Sequence, residues 1–309
     1  MPIGVGFGLL AALCWGLADF CARGASRSGG TFRTLLSIQI VACLALPAIG
    51  LPLGLIRFAG QPAGVMLAAV ALNLVILAGA GLLYRAFAIG TLALTSPIAA
   101  SYAAITALLA LLLSDEHPDA AQLAGIVLTL GGVLLASSVP GHPASASVRT
   151  ARLGSLRLAP GLLEAFGAML LFGIAYWALR YVVAILGGVT VAFLGKLGDL
   201  VVLGVITLTL LLVSRARDGT GKSYAPPRIP RPTPMFLAFV IPTALLDTTA
   251  NVAYNLGIGA ALTSLVSVLS SLFSPVTVLL AWIFLRERLS RWQWAGVAAI
   301  FAGVALVSM

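Results

Sequence analysis

Three aspartates, a lysine and a row of amides fall inside segments otherwise fit for hydrocarbon, and their spacing says what each could do. Asp247 stands near the centre of an apolar segment, with Asn251 at i+4, Asn255 at i+8, Thr243 at i−4 and Tyr254 on the same side. At about 100° per residue these positions make one polar stripe on a helix. An ionisable group at mid-bilayer costs at least about 2.5–3.5 kcal/mol on insertion scales, so a functional role is the default expectation. The stripe would face a cavity and bind a substrate or a coupling proton. The competing role is an interhelical hydrogen-bond cluster that only fastens spans together. Lys196 and Asp199 are three residues apart, hence neighbours on one helix face, and read as a neutralising structural ion pair. Asp19 lies four residues before Arg23, which fits either an interfacial salt bridge or a gate residue at the end of its span. Ser264, Ser267, Ser271 and Ser274, spaced 3, 4 and 3, could offer hydroxyls to a solute or let helices approach closely.

The elements that must position these residues follow from composition. The chain has 309 residues, 61% of them hydrophobic and 9% charged, with mean hydropathy +1.10. A soluble protein is about 25% charged. A span needs roughly 20 apolar residues to cross about 30 Å of hydrocarbon. Ten stretches qualify: 3–22, 34–56, 63–86, 92–114, 119–139, 160–184, 189–213, 235–258, 261–285 and 291–308. Backbone groups in lipid must bond within their own segment, and the runs are too long for barrel strands, so these are expected helices. The first carries no basic leader and is interrupted by Asp19, which argues against a cleaved signal peptide.

The net charge of +9 does not point to nucleic acid, because the cations lie between spans and read as topology signals. Fifteen of the 18 Lys and Arg fall in the loops after spans 1, 3, 5, 7 and 9; Arg57 and Arg180 alone occupy the even loops, and Lys196 lies inside span seven. This bias predicts cytoplasmic odd loops and both termini outside, in a multi-pass protein of the cell membrane, of the bacterial inner-membrane kind. Cys14, Cys21 and Cys43 fall in or beside spans and imply no disulfide framework. With two His, both in loops, neither a metal site nor a cofactor is expected. Gly221-Lys222-Ser223 resembles the end of a phosphate-binding loop but has Ala216 where the motif needs Gly, and it reads as a chance match.

An internal repeat organises the spans. Tyr102–Ser137 aligns without a gap on Phe273–Ser308, with 12 of 36 positions identical, among them Thr106/Thr277, Glu116/Glu287, Gln122/Gln293, Gly125/Gly296 and Gly132/Gly303. At an offset of 157, Trp15-Gly16 and Arg23 align with Phe172-Gly173 and Arg180, and Gln39 aligns with Lys196. The glycines recurring at seven-residue spacing mark a packing seam. The expected organisation is a first repeat over 1–139, a linker over 140–159 and a second repeat over 160–309. Each half has an odd number of spans, so the second must insert upside down relative to the first. The fold class is therefore an all-α integral membrane protein of ten transmembrane helices in two inverted five-helix repeats, an arrangement many secondary transporters share.

The Trp15-Gly16-Leu17-Ala18-Asp19-Phe20 run, Ser274-Pro275 in span nine, the Leu285–Ser290 turn and the following Gly296 and Gly303 make the chain similar to the drug/metabolite transporter superfamily, specifically EamA-type ten-span permeases. The first half is a weaker match, with Ala104 where Pro275 would align. The resemblance implies a central cavity lined by spans 1, 3, 4, 6, 8 and 9, which leaves span seven outside it. It also implies export or exchange of small metabolites, and cytoplasmic termini, against the charge count. In that lining Trp15, Tyr102, Tyr176 and Tyr254 would supply aromatic walls suited to an amphipathic or aromatic solute. With Lys196 as the one deep cation, an anionic substrate is disfavoured.

The candidate site is thus Asp247, Asn251, Tyr254, Asn255, Trp15, Asp19, Tyr102, Tyr176 and Ser271, acting on a small-molecule substrate in a lipid bilayer, with proton coupling as an open option. The leading function is a secondary transporter, in the export direction, for a small metabolite, amino acid or amphipathic solute. A channel or lipid-translocating subunit is the alternative. A membrane-embedded lipid enzyme ranks below both, since no span carries closely spaced acids and no His lies in lipid.

Overall fold

The computed structural model describes residues 2–90, 92–114, 118–136, 160–218, 232–285 and 291–307. The linker at 140–159, the Glu116 and Glu287 of the repeat, the 286–290 turn and Gly221-Lys222-Ser223 lie outside the described residues. Among the described residues every element is a helix. In chain order they are α1 (Pro2–Gly29), α2 (Thr31–Gly50), α3 (Ala63–Ile89), α4 (Leu92–Ala100), α5 (Tyr102–Leu113), α6 (Ala120–Ala136), α7 (Leu162–Leu186), α8 (Gly188–Asp218), α9 (Pro234–Ala260), α10 (Thr263–Ser270), α11 (Phe273–Leu285) and α12 (Arg291–Val307).

Eight stretches are long and apolar enough to cross a membrane: α1, α2, α3, α7, α8, α9, and two composite segments, Thr95–Leu113 and Thr263–Phe284. α6 and α12 occupy the fifth and tenth expected spans. Each has 17 residues, which at about 1.5 Å per residue falls a little short of 30 Å of hydrocarbon.

The helices run past the hydropathic boundaries. α1 continues to Gly29 and α2 begins at Thr31, so Arg23, Arg27 and Arg33 sit on helices and not on a loop. The reversal between them is made at Gly30 with φ 83°, a backbone angle that side chains oppose. The α7–α8 reversal is made the same way at Gly187, φ 79°, which stands 157 residues later. The two halves thus turn at equivalent positions by equivalent means.

Span nine is broken between α10 and α11 at Ser271–Leu272, a two-residue turn carried by i+3 bonds such as Ser274 N–H to the Ser271 carbonyl at 3.2 Å. Pro275, just inside α11, has no N–H to give that carbonyl, so the expected kink becomes a full interruption. Span four is interrupted at the equivalent point, Ser101, although Ala104 stands where Pro275 would align. There Ala104 N–H bonds the Ser101 carbonyl at 3.0 Å.

α1 packs chiefly on α9, α7 chiefly on α3, and α6 chiefly on α12. Each of these pairs joins one helix from each half of the repeat. Two glycines related by the repeat make close approaches across the halves. A Cβ on Gly16 would stand 2.5 Å from Val276 Cβ, and one on Gly173 would stand 2.6 Å from Ile105 Cβ. The glycine seam of the last spans lies in the α6–α12 contact, where a Cβ on Gly303 would meet the Gly125 carbonyl at 2.8 Å. Outward-facing Val201, Val205, Leu208 and Leu212 of α8 leave an apolar surface of the sort lipid covers.

Candidate functional site

The polar stripe of α9 meets polar residues of α1, α2, α3 and α8 around one cavity. Its lining includes Trp15, Asp19, Gln39, Asn73, Tyr84, Tyr102, Phe172, Tyr176, Lys196, Asp199, Asp247, Asn251 and Phe273. Its water-accessible space is about 60 Å³, room for a handful of waters at roughly 10–15 Å³ each. The cavity is therefore narrow.

Asp247 is held from two sides. Lys196 Nζ of α8 donates to its Oδ2 at 2.5 Å, a salt bridge across helices. Asn251 Nδ2, one turn along α9, donates to Asp247 Oδ1 at 3.1 Å and to the Asp247 carbonyl at 2.8 Å. This corrects the structural pair expected between Lys196 and Asp199. Lys196 extends across to α9, and Asp199 keeps a buried Oδ1 with no hydrogen-bond partner. It also corrects the expected lining, because span seven contributes Lys196 and Asp199 to the cavity, and span two contributes Leu35, Ile38 and Gln39.

Asp19 lines the cavity from α1, 5% exposed, and its Oδ2 is buried without a partner. Among the described residues the salt bridges are Lys196–Asp247 and Arg85–Glu164, and Asp19 takes part in neither. The cavity placement, rather than the interfacial pair with Arg23, is what α1 gives it. Gln39 brings a third such acceptor, its buried Oε1. Asn73 is satisfied locally, its Nδ2 donating to the Ala69 carbonyl at 2.8 Å.

One wall is aromatic. The Tyr176 ring centre lies 5.6 Å from Trp15 and 5.1 Å from Tyr102. Tyr254 packs against them with its ring tilted at 52° to Tyr176 and the centres 4.7 Å apart, its hydroxyl 2.7 Å from Ser267 Oγ. Tyr102 OH and Ser270 Oγ are likewise 2.7 Å apart. With their hydroxyls engaged, Tyr102 and Tyr254 hold their rings in place.

The structure thus brings together Trp15, Asp19, Tyr102, Tyr176, Asp247 and Asn251. Tyr254, Asn255 and Ser271 stand outside the lining. Asn255 Nδ2 donates to the Gly188 carbonyl at 3.2 Å, serving the α7–α8 reversal. Ser271 Oγ donates to the Val268 carbonyl at 2.7 Å, serving the break in span nine. Sequence reasoning missed Asn73 and Tyr84 as lining residues. It noticed Gln39 only as the repeat partner of Lys196, which was the available signal.

Beside the cavity the halves exchange equivalent bonds. Thr106 Oγ1 donates to the Gly173 carbonyl at 3.0 Å, and Thr277 Oγ1 shares its proton between the Gly16 carbonyl at 3.2 Å and the Phe273 carbonyl of its own helix at 2.9 Å. Thr106 and Thr277 are repeat partners, as are Gly16 and Gly173. Each threonine reaches into the opposite half.

Among the described residues no group of three or more His, Cys, Asp or Glu is arranged to hold a metal ion.

Comparison with known proteins bears on these features at two levels. A solved crystal structure, titled only as that of a protein, is similar to this chain with a TM-score of 0.71 at 18% identity, over 98% of this chain and 95% of the other. At that identity the likeness speaks to the fold alone. No curated protein matches. The model of the EamA-like transporter family matches residues 2–138 and again residues 159–309. With nearly every residue covered by that model, the chain is a multi-pass membrane protein of the EamA-like transporter family, a family of transporters and not of enzymes.

Proposed function

We propose that this protein is a secondary transporter that carries a small organic solute, a metabolite, amino acid or amphipathic compound, by alternating access. Its ten spans form two inverted five-helix halves, residues 1–139 and 160–309 joined by the 140–159 linker, with α6 and α12 as the fifth and tenth spans. Two similar halves in opposite orientation give a protein two mirror-related shapes, one open to each side. The observation that carries this reading is the reciprocity of the Thr106–Gly173 and Thr277–Gly16 contacts beside a narrow, charged cavity. A pseudo-two-fold relation between halves requires such exchange, and a site at the repeat interface is where alternating access needs it.

Asp19, Asp199, Asp247 and Asn251 form the polar side of the site, with Lys196 bound to Asp247. Opening to either side separates α8 from α9 or lets a solute compete for the carboxylate. A proton on one of these aspartates is the coupling ion that fits the residues present. Export is the direction that the EamA-type resemblance favours, and the bacterial inner membrane is the setting that the loop charges favour.

Counterflow in proteoliposomes tests this. Saturable uptake of labelled amino acids or amines, accelerated by unlabelled solute on the opposite side, is the expected result. Linear, non-saturating flux would replace the carrier with a channel.

A further inference from the structure

We propose that the cavity takes an organic cation, specifically a protonated primary amine on a small apolar body. Its role in transport rests on the carrier reading above; its binding does not. The cavity gathers three carboxylates, Asp19, Asp199 and Asp247, against one ammonium, that of Lys196. Lys196 is hydrogen-bonded to Asp247, and its charge also reaches Asp199 without a hydrogen bond to Asp199 Oδ1. Asp19 and Asp199 remain, each 5% exposed, and each presents a buried oxygen with no hydrogen-bond partner. A buried carboxylate is costly unless it is paired and hydrogen-bonded, so this pair of residues calls for positive charge.

The unpartnered atoms narrow the class further. Asp19 Oδ2, Asp199 Oδ1 and Gln39 Oε1 are all acceptors, so the missing chemistry is hydrogen-bond donation. A primary ammonium supplies charge together with three donors, as a lysine side chain does. A quaternary ammonium supplies the charge with no donor. Lys196 on Asp247 is itself the pattern: an alkylammonium at home in this cavity. The aromatic residues of the lining, Trp15, Phe172 and Tyr176, offer ring faces on which a cation and its carbon body both rest favourably. A zwitterionic amino acid fits less well, because its carboxylate would need a cation and the one present is already engaged.

The test uses full-length purified protein and a ligand series in calorimetry and thermal unfolding: methylamine, phenethylamine, its N,N,N-trimethyl derivative, 3-phenylpropan-1-ol, 3-phenylpropanoate, phenylalanine and sodium chloride. Phenethylamine is expected to bind at least about tenfold more tightly than the trimethyl compound, the alcohol, the acid or phenylalanine, since charge-assisted hydrogen bonds are roughly twice as strong as neutral ones. Asp19→Asn and Asp199→Asn should each weaken it by a similar factor in protein that still elutes as a single species. Should either variant fail to fold, the ligand series on unaltered protein decides. Binding of the alcohol or the acid as tight as that of the amine overturns the proposal, and so does stabilisation by sodium with no response to either amine. Counterflow of phenylalanine without amine binding would leave the carrier standing and remove the cation. Amine binding without counterflow would do the reverse.

Discussion

Lys196 and Asp247 are 51 residues apart in sequence and form the shortest polar contact at the site. Both are largely buried, so removing one partner leaves the other charge unpaired. Lys196→Met should therefore destabilise the protein by about 3–5 kcal/mol, whereas Lys196→Met with Asp247→Leu should recover most of that loss. Thermal unfolding in detergent of the two variants and the parent checks this; equal loss in both would mean that the pair is not what the lysine serves. The α9 stripe was legible in the sequence because helical periodicity is a local property, and Asp247 and Asn251 share the cavity as spaced. The partner of Lys196 was not legible, because an i, i+3 neighbour is visible in a sequence and a residue on another helix is not. Asn255 shows the limit of the stripe. Two turns beyond Asp247, the same face has left the cavity and reaches the Gly188 carbonyl instead. Tyr84 carried no signal at all, being one aromatic in an apolar helix.

At the scale of elements, hydropathy located the helical segments within a few residues but not their interruptions. The break in span nine had a sequence sign in Pro275. That in span four did not, since Ala104 is a good helix former, and its equivalence to the first break emerges only through the repeat. The contacts that hold these broken spans against the first helix of the opposite half depend on two missing side chains. A Cβ at Gly16 would stand 2.9 Å from the Phe273 carbonyl, and one at Gly173 would stand 3.2 Å from the Tyr102 carbonyl. Backbone does not yield as a flexible side chain would. Gly16→Val and Gly173→Val should each cost about 1–3 kcal/mol by overpacking, and by similar amounts, because the two sites are equivalent. Thr106→Val, which removes the cross-half bond, and Thr277→Val, which removes it together with the 2.9 Å bond to the Phe273 carbonyl on its own helix, should cost less, about 0.6–1 kcal/mol. A large loss at one glycine with none at the other would break the proposed equivalence of the halves.

Over the whole molecule, the distribution of cations is what bears on orientation, and it opposes the family expectation of cytoplasmic termini. The bias is carried by Arg and Lys near span ends, where the positive-inside rule counts them. In the structure two of these, Arg23 and Arg27, ride on the extended end of α1, with Arg27 donating to the Gly90 carbonyl at 3.3 Å. The ends of α1 and α3 therefore lie together, and one side of the molecule gathers the first two odd junctions. If that side is cytoplasmic, the α2–α3 loop and the α5–α6 junction face outward. The native cysteines are confined to α1 and α2, so their replacement by Ala leaves a background for single-cysteine labelling. In that background Gln61→Cys and Asp119→Cys should react in intact cells with a membrane-impermeant maleimide, while Ser28→Cys, at the exposed end of α1, should react only after the cells are opened. Labelling of Ser28→Cys from outside, with Gln61→Cys and Asp119→Cys protected, would invert the orientation. The inverted-repeat arrangement would survive that result, since it depends on the halves opposing each other and not on which of them faces the cytoplasm.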